Sequence, residues 1–422
     1  MFKRVPGTRD VLPEEVASWQ RIEEIARNTF SFYNYTEARP PLLEQAALFN
    51  RSLGETTEIV QKQMFLIDNK EDLYCLRPEA TASIVRLYIE NNLDKTAGFT
   101  KLYYIGPMFR LERPQKGRLR QFHHIGYEAI GSHEASLDVE VISLADNLLK
   151  VFSIDNYKIK INSLGCIKDK KELSLSLHKA LKDKLPKLCA DCKTRFKKNT
   201  LRILDCKNES CRETIKEMNI GDTHLCPECK DHFVKVRAGL DSLKIKYEVV
   251  PQLVRGLDYY TGTVFEIAHE QLGAQDALGA GGRYNNLVKE LGGPDTGAIG
   301  FAFGVERLLL VAGSPNHRLA GKGLVYLISL GEKAKSEGTK LLDALRQKGI
   351  ACDTDYEGKS LKGAMRKAND LAARFVLILG EDELKKNVVT SKDMASGEQK
   401  QIDTEELIRE LKSKIQILPN PK

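Results

Sequence analysis

The sequence lacks any apolar run approaching the roughly 20 residues that a helix needs to cross a bilayer. Its opening stretch, MFKRVPGTRD, also lacks the apolar segment of a secretory signal. There is no internal repeat and no low-complexity tract. These absences predict a soluble, cytosolic protein. The 422 residues, 42% of them hydrophobic, suffice for two or three domains with buried cores.

Charge of one sign is in only modest excess. The 65 Lys and Arg residues stand against 58 Asp and Glu residues, which gives a net charge of +7. Such a surplus is compatible with a polyanionic partner but identifies none.

Disulfides are not expected without a secretory signal, so the nine cysteines are predicted to be reduced thiols or metal ligands. Six of them cluster in one segment, where two CxxC pairs with 33 residues between them suit a tetrahedral structural zinc. The predicted ligands are Cys189, Cys192, Cys226 and Cys229. A third pair, Cys206 and Cys211, competes with them, and free thiols in a small helical insertion remain the alternative.

The first part of the chain predicts a sheet with a helix before it. Apolar residues at helical spacing indicate a helix from Pro13 to about Tyr33, with Pro13, Glu14 and Glu15 favouring its first turn. A strand, a basic loop and a second strand are predicted between about residues 101 and 131, and a similar pair flanks the turn at 255–262. The two units together predict an antiparallel sheet.

The middle of the chain differs in composition. From about Ser163 to Leu243 it is lysine-rich, cysteine-rich and mostly helical in pattern, which predicts an inserted domain. The stretch SPNHRLAGKG at 314–323 is typical of a linker. Strands and helices alternate after it, which predicts a small α/β domain with some parallel pairing.

The second predicted strand carries polar side chains on one face. His124, Gly126 and Glu128 share that face because side chains alternate along a strand. Gly126 predicts open space between the other two, where a small ligand can sit. The alternative is a surface hairpin with a solvated basic loop.

Arg307 falls in the first turn of a helix predicted to start near Gly304. The helix macrodipole disfavours a cation there unless an anion is present, and phosphates bind readily at helix N-termini. Arg307 is therefore predicted to contact a phosphate. The alternative is a surface arginine paired with a carboxylate such as Glu306.

Three segments resemble, in order, the three motifs of the class II aminoacyl-tRNA synthetases. ARPPLLEQ at 38–45 resembles motif 1, with Pro41 at its proline position. YYIGPMFRLERPQKGRLRQFHHIGYEAIG at 103–131 resembles motif 2 in the form typical of the histidine enzyme. GAIGFAFGVERLLL at 297–310 resembles motif 3.

Three further segments resemble signatures of the histidyl-tRNA synthetases. LVRGLDYYTGTVFEI at 253–267 and GAGGRYNNLV at 279–288 are similar to the two signatures peculiar to that family. LRPEATASIVR at 76–86 is similar to its RPE loop and the following helix start. The chain is thus identified as a member of the histidyl-tRNA synthetase family.

The resemblance implies an α+β fold in which a class II antiparallel sheet is flanked by helices. It assigns 1–165 and 246–318 to the catalytic domain, 166–245 to a mainly helical insertion near the tRNA acceptor arm, and 322–422 to an α/β anticodon-binding domain. Motif 1 forms the subunit interface in this class, so a homodimer is expected. Catalysis in the family does not need zinc, so a metal here would be structural.

The implied activity has two steps and takes L-histidine, ATP with Mg²⁺, and tRNA(His). ATP converts histidine to histidyl-adenylate, and the histidyl group then passes to the tRNA. By resemblance, Arg110 and Arg255 are the catalytic residues, and Arg110, Arg118 and Arg307 bind ATP. The histidine-binding residues are Glu79, Ala80, Thr81, Arg110, His124, Glu128, Arg255, Tyr259, Tyr260 and Tyr284.

Within that set, Glu79 and Thr81 are expected at the amino group of histidine, and Glu128 and Tyr260 at its imidazole. A neutral imidazole has one N–H donor and one acceptor nitrogen, which a carboxylate and a phenol can serve. A site built on such bonds strongly rejects isosteres that lack them. Tyr259 and Tyr284 would line the pocket.

Two positions depart from the family pattern. His124 stands where the family usually has glutamine, and its charged form would repel the substrate's ammonium group. Asn285 stands where the family usually has aspartate, which removes a charge expected beside the pocket.

Two other readings stay open from the sequence. One is the synthetase-like regulatory subunit of ATP phosphoribosyltransferase, which typically loses the catalytic arginines and the anticodon domain. The other is a different class II synthetase, such as the prolyl or threonyl enzyme, which would share the three motifs but not RGLDYY or GGRY.

Overall fold

A computed structural model describes residues 2–54, 57–115, 117–218, 220–221, 223–312, 323–356 and 358–415. The chain divides into two compact units, Met1–Pro315 and Asn316–Lys422. The predicted linker and the domain boundaries at 318 and 322 fall among residues 313–322, which lie outside the described residues, apart from Gly323 at the end of the linker. No helix in the described part of the chain is long and apolar enough to span a membrane.

The first unit combines strands and helices along its whole length. Its strands are β1 (Thr36–Glu37), β2 (Leu43–Gln45), β3 (Phe65–Asp68), β4 (Leu73–Leu76), β5 (Thr100–Phe109), β6 (Gln121–Ile130), β7 (Tyr157–Ser163), β8 (Tyr247–Val249), β9 (Thr261–His269), β10 (Ala277–Arg283) and β11 (Ala298–Gly304). Its α-helices are α1 (Pro13–Phe32), α2 (Ala46–Leu53), α3 (Thr81–Glu90), α4 (Leu93–Thr96), α5 (Ala135–Val151), α6 (Ile167–Leu181), α7 (Ala190–Lys198), α8 (Glu209–Lys216), α9 (Pro227–Ser242), α10 (Leu287–Glu290) and α11 (Val305–Ala312). A π-helical turn covers Ile59–Gln63, and 3-10 turns cover Lys182–Lys187, Thr200–Ile203 and Glu270–Gln275.

One eight-stranded sheet dominates this unit, in the order β1-β5-β6-β11-β10-β9-β7-β8. The central strands pair antiparallel, as predicted, whereas β1 pairs with β5 and β7 with β8 in parallel at the two edges. The sheet is therefore mixed, with an antiparallel centre. A separate three-stranded antiparallel sheet has the order β2-β4-β3.

Helix α1 confirms the predicted first helix. Pro13 stands in the first turn with Glu14 and Glu15, where a missing N–H costs nothing and negative charge suits the macrodipole. The face that carries Ile22 and Phe30 is buried and packs into a core on one side of the large sheet. The other side of the sheet carries a second core, which surrounds the cavity described below.

The segment between β7 and β8 is helical, as predicted, and comprises α6 to α9 with two 3-10 turns. It belongs to the same compact unit as the large sheet. Its boundaries as a separate insertion, 166–245, stay a prediction.

The second unit is a five-stranded sheet with helices. Its strands are β12 (Val325–Ser329), β13 (Cys352–Thr354), β14 (Phe375–Leu379), β15 (Val388–Asp393) and β16 (Gln399–Asp403), and its helices are α12 (Glu332–Gln347), α13 (Leu361–Asp370), α14 (Glu381–Lys386) and α15 (Thr404–Lys414). The order is β13-β12-β14-β15-β16, parallel among the first three strands and antiparallel beyond them. The predicted α/β architecture with some parallel pairing is confirmed.

Candidate active site

Small residues form the floor of a cavity on the large sheet. In the strand register, Tyr104, Gly126, Ala302, Ala280 and Glu266 lie in one row across five neighbouring strands. Ala302 and Ala280 have small side chains and line a cavity of about 300 Å³, together with Tyr104 and Glu266 at the two ends of the row. This volume is the size of a small-molecule site.

The cavity collects most of the side chains that the sequence singled out. Three of the four predicted arginines come from different segments: Arg110 directly after β5, Arg255 after β8, and Arg307 in the first turn of α11. The fourth, Arg118, lies in the loop before β6. The predicted residues that line the cavity are Glu79, Thr81, Arg110, Arg118, His124, Arg255, Tyr259, Tyr260, Tyr284 and Arg307.

Carboxylates and carbonyls hold these arginines in place. Arg255 forms an ion pair with Glu266, and Arg118 Nε lies 3.0 Å from Glu112 Oε2. Arg110 Nε donates to the carbonyl of Pro78 at 2.9 Å. The buried Nε of Arg255 has no hydrogen-bond partner within the part of the chain that the structure describes. This N–H therefore has unused hydrogen-bonding capacity.

Arg307 rests on neutral partners, because it donates to the carbonyls of Gly117 and Ala277. Glu306, offered above as its alternative partner, instead accepts the backbone N–H of His123 and lies 3.0 Å from that residue's ring nitrogen. The surface ion pair is therefore wrong. Among the described residues no carboxylate lies within ion-pair distance of Arg307, which lines the cavity.

Glu79 lines the cavity and lies two residues before the start of helix α3. Its carboxylate accepts the N–H groups of Thr81 at 2.6 Å and Ala82 at 2.9 Å, which satisfies two donors that a helix start leaves free. Burial raises the pKa of Glu79, although these bonds oppose the rise. Ala80 is buried at this helix start and is not among the cavity-lining residues of the described chain.

Glu128 lies one row away from the cavity floor, and three hydroxyls contact it. Tyr284 donates to it at 2.6 Å, Thr81 at 2.7 Å and Tyr104 at 3.4 Å. All three donors line the cavity, whereas Glu128 itself, 1% exposed, lies behind them. Its neighbour across the strands is Gly300, where a β-carbon would overlap the carboxylate. Burial raises the pKa of Glu128 to about 8.

Aromatic rings close one side of the cavity. The centroid of the Tyr259 ring lies 4.6 Å from that of Tyr260 and 5.8 Å from that of Tyr284. Burial raises the pKa of Tyr260 to about 12, so its phenol keeps its proton at neutral pH. A neutral phenol can both donate and accept a hydrogen bond.

The prediction of open space above Gly126 was wrong. Tyr104 is directly opposite Gly126 in the β5–β6 register, and a β-carbon at Gly126 would lie 2.4 Å from the tyrosine hydroxyl. The glycine therefore makes room for the Tyr104 ring rather than for a ligand. His124 and Glu128 nevertheless share one face of β6, as predicted, because side chains alternate along a strand.

His124 lines the cavity as a neutral imidazole. Its pKa is well below the ordinary value because the ring is buried and close to Arg110 and Arg307. Its Nδ1 is buried and lacks a hydrogen-bond partner among the described residues. The charged form that would repel an ammonium group is thus disfavoured.

The second departure from the family pattern, Asn285, lies away from the cavity lining. Its side-chain oxygen accepts the N–H of Ala298 at 3.1 Å and contacts Arg283 at 3.3 Å. Arg283 is itself buried in an ion pair with Asp138, at 2.6 Å. Arg283 and Asn285, both in the GGRYN segment, thus stabilise the fold.

Several cavity residues were missed from the sequence. Glu112 and Glu266 pair with arginines, and Asp205 and Lys207 reach the cavity from the helical segment 166–245. Glu266 carried a detectable signal, since it is the one charged residue in the apolar strand TGTVFEIAH. Asp205 and Lys207 carried none, because only tertiary packing brings them to this place.

The predicted grouping of the four cysteines was also wrong. Cys189 and Cys192 converge with Cys206 and Cys211, the third pair, rather than with Cys226 and Cys229. The last two converge instead with Cys166 and Asp169. The separation has a physical reason. The two CxxC pairs stand at the starts of different helices, α7 and α9, so that each pair meets a different set of ligands.

Comparisons with known proteins agree along the chain. A family model described as histidyl-tRNA synthetase matches residues 7–308, and one described as anticodon binding domain matches 324–414. The histidine–tRNA ligase of Thermodesulfovibrio yellowstonii is 45% identical over 414 residues, covering 98% of this chain and 99% of the relative. That of Desulforamulus reducens is 44% identical, covering 97% and 99%. The crystal structure of apo histidyl-tRNA synthetase from S. aureus is 34% identical, covers 98% of this chain and 100% of its own, and gives a TM-score of 0.79.

Proposed function

The chain belongs to the histidyl-tRNA synthetase family, and from this premise we propose how its cavity performs the reaction. The protein is a histidine–tRNA ligase. The observation that carries the proposal is the convergence of four arginines and a cluster of hydroxyls around a buried carboxylate in one cavity. Positive charge suits the triphosphate and carboxylate of the substrates, and the hydroxyl cluster suits an imidazole.

The first reaction joins the histidine carboxylate to the α-phosphorus of ATP and releases pyrophosphate. Arg110 holds the carboxylate and the α-phosphate, and Arg255 contacts the α-phosphate through its unpartnered Nε. Negative charge shifts there as the new bond forms, so a preorganised guanidinium stabilises the transition state. Glu266 and the Pro78 carbonyl fix the two arginines before substrate arrives.

Histidine is recognised at its two polar ends. Glu79 and Thr81 contact the amino group, together with the neutral ring of His124. The imidazole meets Tyr260 and Glu128. We expect its N–H to replace the contact from Tyr104, which at 3.4 Å is the longest of the three that Glu128 accepts. A bond shorter than the contact that it replaces favours the charged carboxylate and thereby lowers its raised pKa.

ATP binds along the remaining arginines. Arg118 and Arg307 hold the outer phosphates, and Arg307 does so from the N-terminal turn of α11, where anions are stabilised. Mg²⁺ accompanies ATP, and the cavity carboxylate Glu112 is an oxygen ligand of the kind that this ion prefers. When bound, the ion would neutralise charge on the outer phosphates.

In the second reaction a terminal ribose hydroxyl of tRNA(His) takes the histidyl group. We assign binding of the anticodon to residues 322–422, supported by the match of 324–414 to an anticodon-binding domain. The segment 166–245 would lie near the acceptor arm, which its lysines suit. Aminoacylated tRNA is used in translation, so we expect the enzyme to act in the cytoplasm.

A homodimer is supported by exposed large apolar side chains in motif 1 and in the small sheet that it enters. They are Leu42, Leu43, Leu66, Ile67 and Leu73. By the strand register, Leu43 and Ile67 lie on one face of the sheet β2-β4-β3, and Leu66 and Leu73 lie on the other. Light scattering at micromolar concentration should give the mass of two chains.

The assignment is tested by exchange of labelled pyrophosphate into ATP with each amino acid in turn. Exchange should depend on histidine and stay at background with proline and threonine. Exchange with another amino acid and none with histidine would reject the proposed pocket chemistry. Absence of exchange with every amino acid would favour a regulatory subunit that only binds histidine.

A further inference from the structure

Four thiols converge at one point in the helical segment 166–245, outside the catalytic cavity. The sulfur atoms of Cys189, Cys192, Cys206 and Cys211 all lie within 4.8 Å of one another. Cys189 Sγ is 3.9 Å from Cys206 Sγ. Tetrahedral zinc with Zn–S bonds of about 2.3 Å requires S···S distances of about 3.8 Å. The cluster therefore needs only a small contraction to hold the ion.

Three of the four cysteines stand at or directly before a helix N-terminus. Cys189 directly precedes α7, and Cys192 and Cys211 lie in the first turns of α7 and α8. The N-terminus of a helix lowers the free energy of a thiolate. The backbone N–H of Cys189 also donates to Cys211 Sγ at 3.2 Å. Lys and Arg number eight between residues 187 and 212 against three Asp and Glu, which offsets the negative charge of a tetrathiolate site.

Two simpler explanations fit the geometry less well. A disulfide has an S–S distance of about 2.05 Å, whereas Cys189 and Cys206 are 3.9 Å apart. Buried cysteines also serve as small apolar side chains, but Cys189 and Cys206 are only partly buried. Apolar packing does not require four sulfur atoms to meet at one point.

We propose that Cys189, Cys192, Cys206 and Cys211 bind a structural zinc ion that fixes part of the active site. Cys206 stands between Asp205 and Lys207, both of which line the catalytic cavity. The same loop contacts the segment that carries Arg255, because Arg202 donates to the Gly256 carbonyl at 2.6 Å. Fixing Cys206 on the metal therefore fixes this contact. The role of the loop, though not the metal site, rests on the proposed function.

The structure assigns a second zinc to a separate group, Cys166, Asp169, Cys226 and Cys229, whose ligand atoms also lie within 4.8 Å of one another. Cys166 and Cys226 directly precede α6 and α9, and their partners follow three residues later in each helix. Asp169 is 3% exposed and accepts the N–H groups of Cys166 and Cys226, both at 3.1 Å. Each carboxylate oxygen keeps a lone pair for the metal, and these bonds orient it.

Elemental analysis of the full chain, purified without added metal, measures the total zinc content. We expect two equivalents per chain. Cys206→Ser/Cys211→Ser should lose one equivalent, and Cys226→Ser/Cys229→Ser should lose the other. Cys352→Ser, in the second unit, is the matched control and should keep both. Zinc unchanged in the first variant overturns the four-thiolate site, and zinc unchanged in the second overturns the mixed site.

X-ray absorption at the zinc edge keeps the test independent of whether a variant folds. The Cys226→Ser/Cys229→Ser protein should show an all-sulfur shell at about 2.3 Å, and the parent a mixture with some oxygen. Should the serine variants be insoluble, the parent alone decides: two equivalents with sulfur and a minority of oxygen support both sites. Iron instead of zinc, or a shell of nitrogen and oxygen only, overturns the assignment.

The coupling to the active site has its own test. Arg202→Ala should keep two zinc equivalents yet slow histidyl-adenylate formation at least tenfold, because Arg202 fixes the segment next to Arg255. Removing zinc from the parent with a mercurial and a chelator should increase hydrogen exchange at 199–207 and 253–260 together. Unchanged exchange at 253–260 would overturn the coupling even if zinc is present. If the coupling is absent but exchange of pyrophosphate into ATP still depends on histidine, the proposed function stands and only the coupling is rejected.

Discussion

Replacing Arg255 by alanine tests the assignment of the transition-state charge. Arg255 lines the cavity, is joined to Glu266 and has a buried Nε without a hydrogen-bond partner among the described residues. Removing one preorganised donor costs about 10²–10³-fold in rate, roughly 2.7–4 kcal/mol. The substitution also leaves Glu266 facing the phosphates without its partner. A carboxylate ~8 Å from a phosphate charge, at an effective dielectric constant of about 20, adds roughly 2 kcal/mol of repulsion. The two contributions together predict that adenylate formation slows by about 3 × 10³ to 3 × 10⁴-fold.

The double variant Arg255→Ala/Glu266→Gln separates the two contributions. It removes the exposed carboxylate and should regain roughly 30-fold in rate over Arg255→Ala, which corresponds to the repulsion of about 2 kcal/mol. Glu266→Gln alone is the matched control. It should be the least impaired of the three because the guanidinium remains.

The assay is rapid-quench measurement of histidyl-adenylate in a single turnover, with histidine affinity measured separately by equilibrium dialysis. A group that acts in the transition state changes the rate far more than ground-state affinity. Equal losses of rate and affinity in Arg255→Ala would refute the role. A double variant slower than the single one would refute the assignment of Glu266 as a repulsive neighbour.

Three further substitutions test the buried ionisable groups. His124 has a pKa well below its ordinary value of about 6.5 because it is buried near arginines. Below about pH 6.5 the unfolded chain therefore binds a proton that the native state does not, and stability is lost as pH falls. In urea denaturation at pH 5 to 7, His124→Gln should lose less stability on acidification than the parent. Burial raises the pKa of Glu128 to about 8, so the native state holds a proton that the unfolded chain has lost, and stability falls as pH rises from about 4.5 to 8. Glu128→Gln should reduce that loss of stability in thermal denaturation. The same variant should bind histidine more weakly in equilibrium dialysis. Asp138→Asn leaves Arg283 buried without its carboxylate, which should cost roughly 3–5 kcal/mol of unfolding free energy, and an unchanged melting temperature would contradict it.

Local patterns accounted for much of the fold. Helix α1 follows from its periodicity, because burial of one face is recorded in its sequence. The strands β5 and β6 follow from the pattern of strand, basic loop and strand, although both of their faces carry buried residues. The parallel edge pairs β1–β5 and β7–β8 could not be predicted in this way. They join strands far apart in the chain, and periodicity within a strand does not specify its neighbours.

The error at Gly126 has the same origin. Alternation placed Gly126 correctly on the face of His124 and Glu128, but only the register of β5 shows that Tyr104 stands opposite and covers it. Cysteine spacing failed for a related reason. A CxxC pair identifies a turn that can bind metal, whereas the identity of its partner depends on the packing of helices whose contacts are distant in sequence.

The buried carboxylate of Glu128 links stability to selectivity. Without substrate, three hydroxyls stabilise it, yet burial still raises its pKa to about 8. Burial thus disfavours the charged carboxylate in the free site, and a ligand with an N–H donor favours that charged form by supplying a hydrogen bond. An apolar side chain of similar size cannot supply that bond and would leave the cavity hydroxyls and the carboxyl without a new partner, which is costly in a buried site. On the proposed assignment, discrimination against such side chains rests on a group that destabilises the free enzyme at alkaline pH, and we expect a substitution that relieves the destabilisation also to weaken the choice of histidine.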